Sequence, residues 1–204
     1  MSIDSKPRRA ARIGLAAVFG FAIAVAASLY AFKQPAGNGA PATASDERLS
    51  GGVGTFVAKS TPAILPNASF QTGDGTPVAL DAWRGKVVLL NLWATRCIPC
   101  RKEMPALDRL QDVLGSSEFE VVALSIDRSG VSGTRKFLDS VGIKNLKLYA
   151  DPTAKLANEF KAIGLPTTLL IDRQGREIGR LIGPAEWDSP EAVALVQKAL
   201  AAKS

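Results

Sequence analysis

At 204 residues and 47% apolar composition, the chain can form one well-packed domain plus an additional segment, which excludes a wholly disordered or collagen-like polymer. Its net charge of +6 is unevenly placed: residues 1–33 hold Lys6, Arg8, Arg9, Arg12 and Lys33 against Asp4, leaving only +2 elsewhere, too little for a phosphate-binding face, so no nucleic-acid partner is expected. With no histidine, Ser–His and Cys–His nucleophile pairs and histidine metal sites are excluded, and two cysteines three residues apart neither build a disulfide framework nor hold zinc.

Residues 1–12 form a short basic N-terminus, expected in the cytoplasm. From Ile13 to Phe32 the chain runs without a charge. As a helix this stretch would span roughly 30 Å, the thickness of a hydrocarbon core. Basic residues cluster before it, so the positive-inside bias leaves the bulk of the chain across the membrane. A cleaved signal peptide is the alternative, but its apolar core is usually about 7–15 residues. No clean small-x-small cleavage site ends this stretch either. Residues 13–32 therefore read as a retained single-pass transmembrane anchor. Residues 33–61, rich in Ala, Gly, Ser, Thr and Pro, read as a flexible linker.

A folded domain is expected over residues 62–204. Residues 68–72 and 77–80 flank Asp74-Gly75, a hairpin signature. Lys86 to Trp93 is an almost continuous apolar run of strand formers, as in a strand buried on both faces. After the cysteines, Leu107, Leu110, Val113 and Leu114 keep helical spacing, with Gly115 a natural stop. Phe119 to Ile126 reads as a second buried strand, followed by a helix near 134–141 and a strand near 146–150. Thr153 to Ala162 reads as a helix entered through Asp151-Pro152. Residues 167–172 and 177–182 form a hairpin across Arg173-Gln174-Gly175, and Asp188-Ser189-Pro190 opens a last helix running to Ala202. This order describes a three-layer α/β/α domain with a mixed central sheet.

Cys97-Ile98-Pro99-Cys100 falls between the strand ending at Trp93 and the helix through Leu114. A C-x-x-C in that context is a redox motif. Cys97 is placed at the helix mouth, where unpaired N–H groups and the dipole stabilise a thiolate, the nucleophile of disulfide exchange. Cys100, one turn further in, is placed to resolve the mixed disulfide. Pro99 suits the first helical turn and strands no N–H. A structural staple is the blander reading, but so short a loop restricts few unfolded conformations. Inert core thiols would not be flanked by Arg96 and Arg101-Lys102. The two thiols suffice for the chemistry, so no cofactor or metal is expected.

Three segments together resemble the TlpA/ResA group of membrane-anchored thioredoxin-like proteins. They are NLWATRCIPCRKEMPALDRL (91–110), KAIGLPTTLLID (161–172) and IGPAEWDS (182–189), the last resembling the alphaproteobacterial TlpA branch. The resemblance implies a thioredoxin-like fold and a thiol:disulfide oxidoreductase facing the periplasm from the bacterial inner membrane. It implies that partner cysteines are kept reduced, in apocytochrome c or in copper-handling proteins of cytochrome oxidase assembly. Electrons would come from a membrane donor of the DsbD or CcdA type. It also implies a cis proline at Pro166, presenting the Leu165 backbone to a substrate strand just before Thr167. Glu103 is implied as a proton-transfer group at the thiols; a solvated surface glutamate is the alternative. Asn91 stands where many thioredoxins carry a buried aspartate, and Trp93 reads as packing. Arg96 departs from the family, which usually has tryptophan there. A cation before Cys97 is expected to favour its thiolate, make the pair a better oxidant and bias docking towards acidic surfaces. Arg96 and Pro99 thus join Leu165, Pro166 and Thr167 as expected substrate contacts.

Three other functions compete. A copper-delivering assembly factor of the Sco type pairs C-x-x-x-C with a histidine, and this chain has neither. A peroxiredoxin needs a Thr and Arg arrangement not seen here. A disulfide-installing oxidase differs from a reductase only in potential and electron donor.

Overall fold

The computed structural model describes residues 48–49 and 53–202. The anchor expected at 13–32 and the basic segment before it lie outside them. Among the described residues no helix is long and apolar enough to cross a membrane.

Among the described residues nine strands form one sheet: β1 (Arg48–Leu49), β2 (Phe56–Ile64), β3 (Ser69–Thr72), β4 (Pro77–Ala79), β5 (Val87–Trp93), β6 (Phe119–Ser125), β7 (Tyr149–Ala150), β8 (Thr167–Ile171) and β9 (Arg176–Ile182). The helices of the described residues are α1 (Ile98–Leu114), α2 (Gly130–Ser140), α3 (Leu156–Glu159) and α4 (Pro190–Ala201), and a 3₁₀ turn lies at Leu80–Trp83. The strand order is β1-β2-β9-β8-β5-β6-β7-β3-β4. β5 runs parallel to β6 and antiparallel to β8, so the sheet is mixed.

All seven residues of β5 are buried, and their alternation assigns them to two cores. Val87, Leu89 and Trp93 pack with Cys100, Met104, Leu107 and Leu110 of α1 and with Leu195 and Val196 of α4. Val88, Leu90 and Leu92 pack on the opposite face with Leu156 and Phe160 around α3 and with Trp83. Helices thus cover both faces, which is why the central strands read as unbroken apolar runs. The fold is thioredoxin-like α/β with a mixed sheet.

Three boundaries differ from expectation. The sheet begins inside the stretch read as linker: β2 pairs with β9, Val57 opposite Arg180 and Ala58 opposite Gly179. Phe56 is 1% exposed and its ring occupies the space over Gly179, where a Cβ would lie 2.4 Å from Phe56 Cζ. The helix expected over 153–162 shrinks to α3, because Ala154 and Lys161 take positive φ of 57° and 55° at either side of it. Of the strand expected at 146–150 only Tyr149 and Ala150 pair in the sheet. The residues before them are held instead by Asp108 of α1, whose Oδ1 accepts the backbone N–H groups of Lys144, Asn145 and Leu146.

Candidate functional site

β5 ends at Trp93 and the chain turns at once, Cys97 N–H donating to Ala94 O at 3.0 Å. Cys97 is the N-cap of α1; its Sγ accepts from the Cys100 N–H at 3.3 Å, and Pro99 sits in the first turn. The two sulfurs are joined, with Cα atoms 5.3 Å apart. The pair is asymmetric. Cys100 is 0% exposed and packed in the α1 core, whereas Cys97 is half-buried and Ile98 beside it is 66% exposed. The first turn of this seventeen-residue helix carries no acid, so nothing there opposes a thiolate at Cys97.

The Leu165–Pro166 bond is cis, as the resemblance implies. Register places it: Thr167 pairs with Leu92 and Thr168 with Asn91, so the proline loop enters the sheet beside the strand end that leads to Cys97. The Pro166 carbonyl accepts from Gly183 N–H at 2.9 Å. The Leu165 N–H and C=O have no hydrogen-bond partner among the described residues. They are available to an extended peptide. Thr167, expected among the substrate contacts, is fully buried with its hydroxyl on Gly164 O at 2.7 Å. It braces the loop and offers no side chain to a partner.

Glu103 is 3% exposed, which overturns the solvated-surface alternative. Asn91 Nδ2 donates to its Oε1 at 2.9 Å; Ala185 N–H and the Trp187 indole donate to its Oε2 at 3.2 and 3.3 Å. Burial pushes its pKa up to about 7, and these three donors restrain the rise. Asn91 and Thr168 lie opposite each other across β5 and β8, and Asn91 Nδ2 also reaches Thr168 Oγ1 at 2.9 Å. The Asn91 Oδ1 has no hydrogen-bond partner among the described residues. A carboxyl of this kind holds or releases a proton near neutrality one helical turn from Cys100.

Arg96 is not the free cation expected. Its Nη1 lies 3.2 Å from Oδ1 of Asp127, a buried acid just beyond β6. Trp93 is fully buried against Phe137, ring centroids 5.3 Å apart, with the Arg101 guanidinium 5.3 Å over the same ring. It is packing, as expected. The sequence reading missed Asp127, Thr168, Ala185 and Trp187 as site residues. The parallel pairing of two predicted strands, whose carboxyl ends must lie together, was the available signal for Asp127. Ala185 and Trp187 lie in the IGPAEWDS segment that carries the resemblance, but nothing local links that segment to Glu103, which Trp187 reaches from 84 positions away.

The Redoxin family model matches residues 58–196. The chain is 33% identical over 130 residues to the thiol-disulfide oxidoreductase ResA of Geobacillus kaustophilus, covering 62% of this chain and 73% of that one. It is 31% identical over 118 residues to ResA of Bacillus thuringiensis, covering 58% and 67% respectively. Among solved structures it resembles a thiol:disulfide interchange protein, DsbE, from Chlorobium tepidum. That match has a TM-score of 0.61 and 28% identity, over 68% of this chain and 96% of the other. The cysteine pair, the cis proline and the buried glutamate lie within the matched region, and the chain belongs to the Redoxin family, among the thiol-disulfide oxidoreductases of the TlpA/ResA type.

Proposed function

We propose that this chain reduces disulfides of periplasmic proteins, from a domain tethered to the bacterial inner membrane by residues 13–32. The substrates are cysteine pairs of apocytochrome c or of proteins that assemble the copper site of cytochrome oxidase. The observation that carries the reaction is the asymmetry of the pair, Cys97 half-buried at a helix N-terminus and Cys100 sealed beneath it.

The reaction starts from the dithiol. The Cys97 thiolate attacks one sulfur of the substrate disulfide, forming a mixed disulfide and expelling a substrate thiolate, which takes up a proton. The Cys100 thiol then loses its proton and attacks Cys97 Sγ, expelling the second substrate thiolate. Two electrons and two protons pass to the substrate, and the Cys97–Cys100 bond is formed. Glu103 shares the helical face of Cys100 and its acidity is poised near neutrality, so it takes the Cys100 proton and later releases it. A membrane dithiol of the DsbD or CcdA type restores the reduced pair by the same steps reversed. The substrate strand pairs with the free Leu165 backbone beside Pro166, and its apolar residues rest on Pro99 and Ile98. Arg96 lines the same edge with its charge already partnered.

Cys100→Ser in the full chain leaves Cys97 unable to be released and should freeze mixed disulfides with the natural partners. Capture of cytochrome or oxidase-assembly proteins supports the proposal. Capture of nothing, with tight copper binding by the unaltered chain, refutes it and favours copper delivery.

A further inference from the structure

Asp127 is 4% exposed and takes no part in the thiol chemistry. Its Oδ1 is 3.2 Å from Arg96 Nη1, and its Oδ2 accepts the Thr95 N–H at 2.6 Å and the Ser125 hydroxyl at 3.3 Å. It gets there by sheet geometry: β6 is parallel to β5 with Ser125 opposite Trp93, so the residues after each strand emerge side by side. Thr95 and Arg96 form the middle of the tight turn closed by Cys97 N–H and Ala94 O. One buried acid thus grips the backbone of one residue and the side chain of the next, immediately before the reactive sulfur.

We propose that Asp127 is a positioning residue for Cys97: it cancels the charge of Arg96 and holds the 94–97 turn, leaving the helix N-terminus to stabilise the thiolate. The inference rests on the reading of Cys97 as the attacking sulfur. Buried acids are retained when paired and hydrogen-bonded, and the 94–97 turn supplies Asp127 with both its ion pair and its shortest hydrogen bond, the Ser125 hydroxyl adding a third contact. The unusual cation before Cys97 is then one half of a neutral pair, and its effect on the thiol is set by the other half. Charged groups on the elements that flank the turn are the exposed Arg101 and Lys102 and the buried Glu103 on α1, exposed Arg128 next to Asp127, and exposed Lys161 ahead of the proline loop.

The test measures Cys97 acidity in the reduced full chain, in detergent, from the pH dependence of its alkylation rate. Four forms are compared: unaltered, Arg96→Gln, Asp127→Asn and the double variant. Asn at 127 keeps an oxygen for the Thr95 N–H. An uncompensated unit charge a few ångströms away changes an acid dissociation constant on the order of threefold to tenfold. Asp127→Asn is therefore expected to make Cys97 more acidic by that factor, Arg96→Gln less acidic by a similar factor, and the double variant to return close to the unaltered value. The equilibrium constant with glutathione should follow the same order, because a stabilised thiolate stabilises the reduced form. Unchanged Cys97 acidity in Asp127→Asn, or a double variant that fails to return, overturns the proposal. Arg96 is largely exposed, so Arg96→Gln decides the matter even if the Asn variant does not fold: no loss of acidity there refutes the pairing. Mapping the alkylated cysteine tests the underlying reading separately, since first reaction at Cys100 would sink that reading alone.

Discussion

Replacing Glu103 by Gln removes one ionisation from the interior, and the consequence can be worked from the site. The carboxyl titrates at about 7 in the fold against an ordinary value of 4.5. Between those values the unfolded chain has released the proton and the folded chain still holds it. Unfolding free energy therefore falls as pH rises across that window. At 1.36 kcal/mol per unit the loss amounts to about 3 kcal/mol, complete above the folded value. Gln fits the same space: its oxygen can take Ala185 N–H and the Trp187 indole. Its amide then faces Asn91, whose side chain can turn to offer the oxygen that has no partner. Urea unfolding of the oxidised protein and of Glu103→Gln at several pH values from 4.5 to 8.5 gives the difference directly. The variant should gain about 3 kcal/mol on the unaltered protein over that range, with the change centred between the two values. A difference that stays flat with pH would refute the burial argument and with it Glu103 as a proton group near neutrality.

Three further outcomes are expected. Gly179→Ala places a methyl 2.4 Å from Phe56 Cζ and 2.9 Å from Val57 O, so the β2–β9 contact must open; a loss of about 1–3 kcal/mol should appear as a lower urea midpoint. Asp108→Ala strands the N–H groups of Lys144, Asn145 and Leu146, and should cost about 3 kcal/mol or more by the same assay without altering Cys97 alkylation. Ile98→Gln changes a side chain that is 66% exposed and adds no charge beside Cys97, so stability and Cys97 acidity should hold. Its kcat/KM for a protein disulfide should still fall about tenfold, the worth of one apolar contact, while that for a small disulfide stays unchanged.

Much of the fold could be read locally. The apolar run of β5, the Asp74-Gly75 turn and the helical spacing after Cys100 each state a short-range preference that the tertiary structure keeps. β2 was hidden because Phe56 and Val57 are followed by a run of small or polar residues that includes Pro62; its stability comes from pairing with β9, more than a hundred positions away. α3 is shorter than its composition suggests, since Asp151 binds the N–H groups of Thr153 and Leu156 in a turn that competes with helix.

The site divides along the same line. The sequence by itself determined the chemistry, because two cysteines one helical turn apart at a strand-to-helix junction need no distant residue to be a redox pair. It also singled out Glu103, Arg96 and Leu165-Pro166. Only the tertiary structure decided what state those groups are in. Burial among Asn91, Ala185 and Trp187 pushes the Glu103 pKa up to about 7, and Arg96 is ion-paired with Asp127. Acidity and charge compensation act through space over a few ångströms and depend on how far water is excluded, neither of which is written in sequence spacing.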